Sequence, residues 1–227
     1  MIKKLKGNIF NTNCEVIVNP VNCMGFMGKG LALEFKLLYP NMMDKYLKFC
    51  ETKELEIGKI SIVKEENKRI ILFPTKMNYS LPSKMEYIEK GLIKIKECYK
   101  EKNIKSIAFP QIGSGLGGLN WSQVEKLIEK ILGDTEIYIE LYTYTEEKAP
   151  YITKLEKLFV ENTIEEIENA TKIKSKILLK IKENLSRTRN ISDFLLIEGL
   201  GIKSVEKVSL LLSAEIKKDK YIEQKLF

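Results

Sequence analysis

No histidine occurs among the 227 residues. That absence removes every mechanism built on an imidazole base, Ser-His and Cys-His pairs included, so any catalysis must use Lys, Asp, Glu, Tyr, Cys, backbone dipoles or the substrate itself. Cysteine is sparse as well: Cys14, Cys23, Cys50 and Cys98 are scattered, with no Cys-x-x-Cys pair. Without histidine to complete a ligand set, no zinc site is expected, and neither metal nor cofactor enters the reading. Four isolated thiols in a chain this long fit a reducing compartment better than a disulfide framework. No apolar run approaches the roughly 20 residues that a membrane span needs, and the opening "MIKKLKGNIF" lacks the apolar core and cleavage site of a signal peptide. The expectation is a cytoplasmic protein with no membrane partner.

What is present is a basic chain, with a net charge of +7 and 44% hydrophobic residues. The charge points toward an anionic partner, although solvated lysines account for much of it. The apolar content suffices for one sizeable core and a small second one. Over the first two thirds, short β-branched runs at 15–20, 58–64, 69–74, 106–111 and 136–144 alternate with helical patterns at 29–40, 42–52, 83–102 and 120–133; "IKKLKG" adds an edge strand. The helix over 83–102 is the clearest, with Ile88, Leu92, Ile95 and Tyr99 at spacings of three and four. The pattern predicts an α/β fold with a mixed sheet over 1–148 and a small all-α unit over 149–227. In that second unit Lys172, Lys174, Lys176, Lys180, Lys182, Arg187 and Arg189 are opposed only by Glu183, and "SRTRNIS" reads as a break between two helical parts.

Ligands of open α/β sheets bind beyond the carboxyl ends of the strands, so the loops there carry the search. The first, "NPVNCMGFMGKG", leads into the helix near Leu31 with glycines at 25, 28 and 30, which let backbone amides approach a phosphate near a helix start. In the second, "PQIGSGLGGLNW", Gly113, Gly115, Gly117 and Gly118 precede a helix that Asn120 is placed to cap. Two such loops suggest two backbone clamps on a pyrophosphate or a phosphate-ribose unit. The third, "FPTKMNYSLPSK", is stiffened by Pro74 and Pro82 and carries Lys76 just past its strand. No GxxxxGKS/T or GxGxxG motif is present, and the residues alone read as binding a phosphorylated, nucleotide-like ligand.

The stretches "GNIFNTNCEVIVNPVNCMGFMGKGLALEFK", "ILFPTKMNYS", "SKMEYIEKGL" and "FPQIGSGLGGLNW" together resemble an ADP-ribose-binding macrodomain over roughly residues 1–145. More narrowly they resemble the DNA ADP-ribosyl glycohydrolase antitoxins, the DarG proteins, which reverse thymidine modification by the toxin DarT. The resemblance implies a three-layer α/β/α fold with ADP-ribose across the strand ends, held by Asn8, Ile9, Asn22, Gly25, Met27, Gly28, Lys29 and Gly30 on one side. Pro74, Thr75 and the stretch Gly113, Ser114, Gly115, Leu116, Gly117 complete the pocket. It also implies Lys76 and Asn22 as the catalytic pair, with Asn22 orienting the ribose hydroxyls and Tyr79 stacking on the target base. Lysine can serve this reaction as an acid, an electrostatic group or a nucleophile. The implied partners are ADP-ribosylated DNA, ADP-ribose itself and a cognate ADP-ribosyltransferase toxin.

Two departures stand out. Where the family's N-terminal motif has Gly-Asp, this chain has Asn8, which accepts from the adenine amine without charge assistance. Where hydrolases acting on acidic side chains carry an aspartate after Gly-x-Gly-Leu, this chain has Gly117, as the antitoxins do. An ADP-ribose reader, a phosphatase or a protein-directed hydrolase would share the same pocket.

In the C-terminal unit, "FLLIEGLGIKSVEKVSLLL" (194–212) resembles a helix-hairpin-helix. Gly199 and Gly201 would present amides to a DNA phosphate beside Lys203 and Lys207. A plain hairpin with the seam Leu195, Leu200, Val205, Val208 and Leu212 is the bland reading, and a toxin-binding or dimerising surface is a third.

Overall fold

A computed structural model of the chain describes residues 1–65, 68–145 and 147–213. The chain divides into two compact units, Met1–Pro150 and Tyr151–Phe227; residues 214–227 of the expected C-terminal unit lie outside the described residues.

The first unit contains six strands: β1 (Ile2–Lys6), β2 (Val16–Asn22), β3 (Ser61–Lys64), β4 (Arg69–Lys76), β5 (Ser106–Phe109) and β6 (Tyr138–Thr143). They form one sheet in the order β1-β6-β5-β2-β4-β3, parallel throughout except for the antiparallel β3–β4 pair. The mixed sheet is as expected, and IKKLK takes the edge position. The inner strands are apolar without interruption because both faces are covered. On one face Val16, Val18, Ile71, Phe73, Ile107 and Ile139 pack against Ile88, Leu92 and Ile95 of α3 (Met85–Cys98) and Val124 and Ile128 of α4 (Trp121–Leu132). On the other, Ile17, Val21, Ile70, Leu72 and Ala108 meet Phe35 of α1 (Gly30–Leu38) and Met42 and Tyr46 of α2 (Pro40–Glu51). The result is three layers, helices on both sides of the sheet.

This topology sends the carboxyl ends of β2, β4 and β5, neighbours at the sheet centre, to one end of the unit. There the β2–β4 ladder slips: Val21 pairs with Pro74 but Asn22 pairs with Lys76. The extra residue, Thr75, is buried and leans its hydroxyl toward the Val21 carbonyl at 3.4 Å. Such bulges re-aim side chains at strand ends, and here the bulge sets Lys76 directly across from Asn22.

The second unit is helical: α5 (Pro150–Glu161), α6 (Ile164–Thr171), α7 (Ser175–Asn184), a 3-10 run over Ile191–Leu196, α8 (Ile202–Glu206) and α9 (Val208–Ser213). Thr163 and Glu166 cap α6 reciprocally, a Thr-x-x-Glu capping box. Ile152, Leu155, Ile167, Leu178, Ile181 and Phe194 are buried. The first arm of the expected hairpin is thus a 3-10 run and the second a five-residue helix. The seam also differs from expectation. Leu200, Val205 and Val208 are buried, but Phe194 and Leu211 take the inner positions in place of Leu195 and Leu212, which are half-buried.

Candidate functional site

Each of the three loops is shaped by a specific device. In the first, Asn22 ends β2 and its side chain organises the residues that follow. Its Oδ1 accepts from the backbone of Met24 (2.9 Å) and Phe26 (3.4 Å), and its Nδ2 donates to the Phe26 carbonyl (2.6 Å). Tyr46, buried in α2, donates its hydroxyl to the Asn22 carbonyl at 2.8 Å and to Oδ1 at 3.2 Å. Asn22, expected to orient a ribose, also organises its own loop. Its place opposite Lys76 is reinforced by Cys23, whose amide donates to the carbonyls of Lys76 (3.1 Å) and Met77 (3.3 Å).

Gly28 owes its identity to sterics: a Cβ there would sit 2.4 Å from the Phe26 ring. Met27 turns inward, buried beside the amide of Asn19, and Gly25 closes against Leu47 of α2. Lys29 occupies the N-cap of α1, where its side chain cannot accept a hydrogen bond, and no side chain caps that helix. The first-turn amides of α1 therefore lack a side-chain acceptor at the end of the helix that attracts anions.

In the second loop, Asn120 caps α4 by accepting from the Ser122 amide at 2.9 Å, as the sequence predicts. Gly115, Leu116 and Gly117 form a 3-10 turn, and Gly115 and Gly118 face open space, with nothing within 4 Å of where a Cβ would stand. Leu116 is 74% exposed and reaches to 3.7 Å from the Cβ position of Gly30, so the two glycine loops meet across a cleft. Ser114 is buried, and its hydroxyl has no hydrogen-bond partner among the described residues.

Lys76 joins the second and third loops: its Nζ donates to the Leu116 carbonyl at 2.6 Å. Ser83 completes the junction, its amide donating to the Gly117 carbonyl at 2.9 Å. Burial lowers the Lys76 pKa from the ordinary 10.5, because removing water disfavours the ammonium. Pro74 and Thr75 lie buried behind it, and Tyr79 stands exposed beyond it.

Asn8 sits near the carboxyl end of β1, where its Oδ1 accepts from the Phe10 amide at 2.9 Å. The Ile9 side chain is buried in the core, which leaves only its backbone to face a ligand. Sequence reasoning missed Tyr144, an exposed aromatic directly after β6, whose amide donates to Gln111 Oε1 at 3.2 Å. Its signal was its place one residue past a strand end. Phe26 was also missed: it is half exposed and packs on Tyr79 with ring centroids 4.7 Å apart.

The C-terminal candidates belong to the second unit. Gly199 adopts φ +78, and the Leu200 amide donates to the Ile197 carbonyl within the turn. Gly201 and Lys203 are exposed, Lys207 is half-buried, and Lys180 Nζ donates to the Glu198 carbonyl at 2.7 Å.

Among the described residues no group of three or more Cys, Asp or Glu side chains is arranged to hold a metal, and no helix is long and apolar enough to cross a membrane. A separate depression lined by Phe49, Ile60, Ile62, Lys94 and Cys98 takes no residue from the three loops.

Residues 18–128 match the Macro domain family. The DNA ADP-ribosyl glycohydrolase of Mycobacterium tuberculosis is 45% identical over 130 residues, 56% of this chain and 37% of that protein. The solved macrodomain of Thermus aquaticus DarG is 36% identical with a TM-score of 0.60, covering 63% of this chain and 98% of that one. Thermosipho africanus DarTG, solved in complex with ADP-ribose, is 35% identical with a TM-score of 0.62, covering 67% of this chain and 44% of that one. The chain thus spans less than half the length of the curated relatives named DNA ADP-ribosyl glycohydrolase.

Proposed function

The chain belongs to the macrodomain family, and from that premise we propose that it is a hydrolase removing ADP-ribose from nucleic acid, with thymidine-linked ADP-ribose on single-stranded DNA as its substrate. The observation that carries the proposal is Lys76, a partly desolvated amine held at the junction of the phosphate-ready loops. A module that only bound ADP-ribose would need the glycine loops but not this lysine.

The pyrophosphate is assigned to the uncapped first turn of α1 and to the turn Gly115–Gly117 facing it. The adenine is assigned to the β1 and β6 ends, with Asn8 accepting from its amine and Tyr144 offering a ring face. The distal ribose then lies between the Asn22 loop and Lys76. A lowered pKa raises the neutral fraction of the amine, the form that can attack the anomeric carbon. The carbon–nitrogen bond to the base breaks as the nitrogen–carbon bond to Lys76 forms, the base takes up a proton, and water then frees the ribose from the amine. Asn22 acts as a positioning residue, fixing the loop against which the ribose rests.

By its likeness to the DarG relatives, we also propose that the protein serves in the cytoplasm as antitoxin to an ADP-ribosyltransferase. The four thiols, all free, suit that compartment. The C-terminal unit is proposed as the basic partner-binding module, with the Gly199–Gly201 turn and Lys203 facing DNA or toxin phosphate-like charge.

The test is mass spectrometry of an oligonucleotide carrying ADP-ribosylated thymidine after incubation with wild type and Lys76→Ala. Release of intact ADP-ribose and unmodified DNA by the wild type alone supports the proposal. Modified DNA surviving with both proteins, while both bind ADP-ribose, would make the protein a reader or a hydrolase of another linkage.

A further inference from the structure

The mouth of the cleft carries more exposed apolar surface than ADP-ribose calls for. Met24 is 60% exposed, Phe26 50%, Met77 48%, Tyr79 55% and Leu81 53%, all on the two loops that flank Lys76. Isolated exposed apolar residues are ordinary, but five on the two loops beside one catalytic candidate, two of them in ring contact, mark a binding surface.

The patch is built, not loose. Asn22 grips Phe26 by both its amide and its carbonyl, at 3.4 and 2.6 Å. The missing Cβ of Gly28 provides the room in which the Phe26 ring lies. Tyr79, from the other loop, meets that ring at a centroid distance of 4.7 Å and an angle of 45°. Two loops are thereby shaped to hold an aromatic pair in water at the exit of the ribose site. Lys29, three residues after Phe26, and Lys84, five after Tyr79, are exposed, with the Lys84 ammonium resting 5.5 Å from the Tyr87 ring centroid.

We propose that Phe26 and Tyr79 form a stacking platform for unpaired nucleobases of the modified strand. Tyr79 takes the modified base and Phe26 its neighbour, with Lys29 and Lys84 meeting the adjoining phosphates. The inference rests on the hydrolase reading and deepens it: Phe26 makes a strand with a base beside the modified one a better substrate than the isolated nucleoside. Three features favour a nucleic-acid strand as occupant. The same asparagine that faces Lys76 in the ladder also holds Phe26, so the platform is continuous with the reactive site. Aromatic faces accept any base without regard to sequence. Exposed lysines near both aromatic residues in sequence, Lys29 and Lys84, match a phosphate backbone.

The test uses the full chain as wild type, Phe26→Ala and the ring-preserving Phe26→Tyr. Three quantities are measured: kcat/KM on an ADP-ribosylated single-stranded oligonucleotide, kcat/KM on ADP-ribosyl-thymidine with no neighbouring base, and Kd for ADP-ribose. Phe26→Ala is expected to lower the oligonucleotide value by about tenfold or more, as loss of one stacked base does, while Phe26→Tyr restores it. The mononucleoside value and the ADP-ribose Kd stay within about twofold of wild type, which also reports an intact fold. Equal effects of Phe26→Ala on oligonucleotide and mononucleoside, or none on either, would overturn the platform. Unchanged DNA kinetics with weakened binding of a protein toxin would overturn it too, by giving the patch to a protein partner. Affinity for unmodified oligothymidylate separates the two readings. If the wild type cleaves no modified DNA, the hydrolase reading falls, and the platform then stands or falls on whether Phe26→Ala weakens that affinity.

Discussion

Gly117→Ala probes the closure of the cleft at a single carbon. A Cβ at this position would stand 2.5 Å from Ser83 Oγ and 3.1 Å from Ser83 Cβ, with Lys76 Cε at 3.9 Å. Ordinary contact begins at 3.4 Å, so the shortfall against the hydroxyl is 3.4 − 2.5 = 0.9 Å. Turning the Ser83 hydroxyl aside leaves its Cβ at 3.1 Å, which the buried backbone holds in place through the bond from the Ser83 amide to the Gly117 carbonyl at 2.9 Å. The second and third loops must part. Overpacking of this kind costs about 1–3 kcal/mol, or about 2–4 °C of Tm for each kcal/mol in a chain of this size. Activity suffers more, because the neighbouring Leu116 carbonyl holds Lys76, and a displacement near 1 Å at a reacting group costs about 100-fold. The Ser83 hydroxyl is buried without a partner among the described residues, so Ser83→Ala alone is expected to be near neutral, and it removes the worst contact. The double variant should recover at least half of the Tm loss and part of the activity. Differential scanning calorimetry and the oligonucleotide assay on all four proteins complete the cycle. A Gly117→Ala protein with wild-type Tm and rate, or a loss that Ser83→Ala leaves untouched, would refute the packing of these loops.

Two further outcomes follow from the same geometry. Burial lowers the folded-state pKa of Lys76 below 10.5, so a neutral-amine mechanism predicts that kcat rises with pH through that lowered value and then levels; a fall over the same range would assign proton donation instead. Asn8→Asp adds a second carboxylate oxygen while one still caps the Phe10 amide. It is expected to tighten ADP-ribose about three- to tenfold by isothermal titration, because charge-assisted hydrogen bonds are roughly twice as strong as neutral ones.

Much of this was legible because the sequence repeats its cues at several levels. Ile88, Leu92 and Ile95 mark α3 by period, and the β-branched runs mark strands buried on both faces. Asn120 announces the start of α4, and Gly115 and Gly118 before it face open space, as a glycine loop at a strand end suggests. What was not legible depends on contacts distant in sequence. Nothing near Asn22 reveals that Tyr46 and the Phe26 backbone engage its side chain, so its part in shaping the loop that follows it could not be read from the sequence. Phe26 reads as one apolar residue among glycines until Tyr79 is brought beside it from another loop. The bulge at Thr75 that places Lys76 opposite Asn22 is a property of pairing register, which composition does not encode. In the helical unit, period reasoning placed the first end of the seam one residue off, at Leu195 instead of Phe194, because a 3-10 run advances its side chains by a different angle from an α-helix.

The most direct test of the central claim is a side-by-side kcat/KM measurement on three linkages: ADP-ribosyl-thymidine in single-stranded DNA, ADP-ribose on a glutamate-containing peptide, and ADP-ribose 1''-phosphate. Turnover of the DNA linkage, dependent on Lys76, is expected at least about 100-fold above the other two, because the cleft positions one leaving group. Faster release from the peptide or the phosphate than from DNA would contradict it.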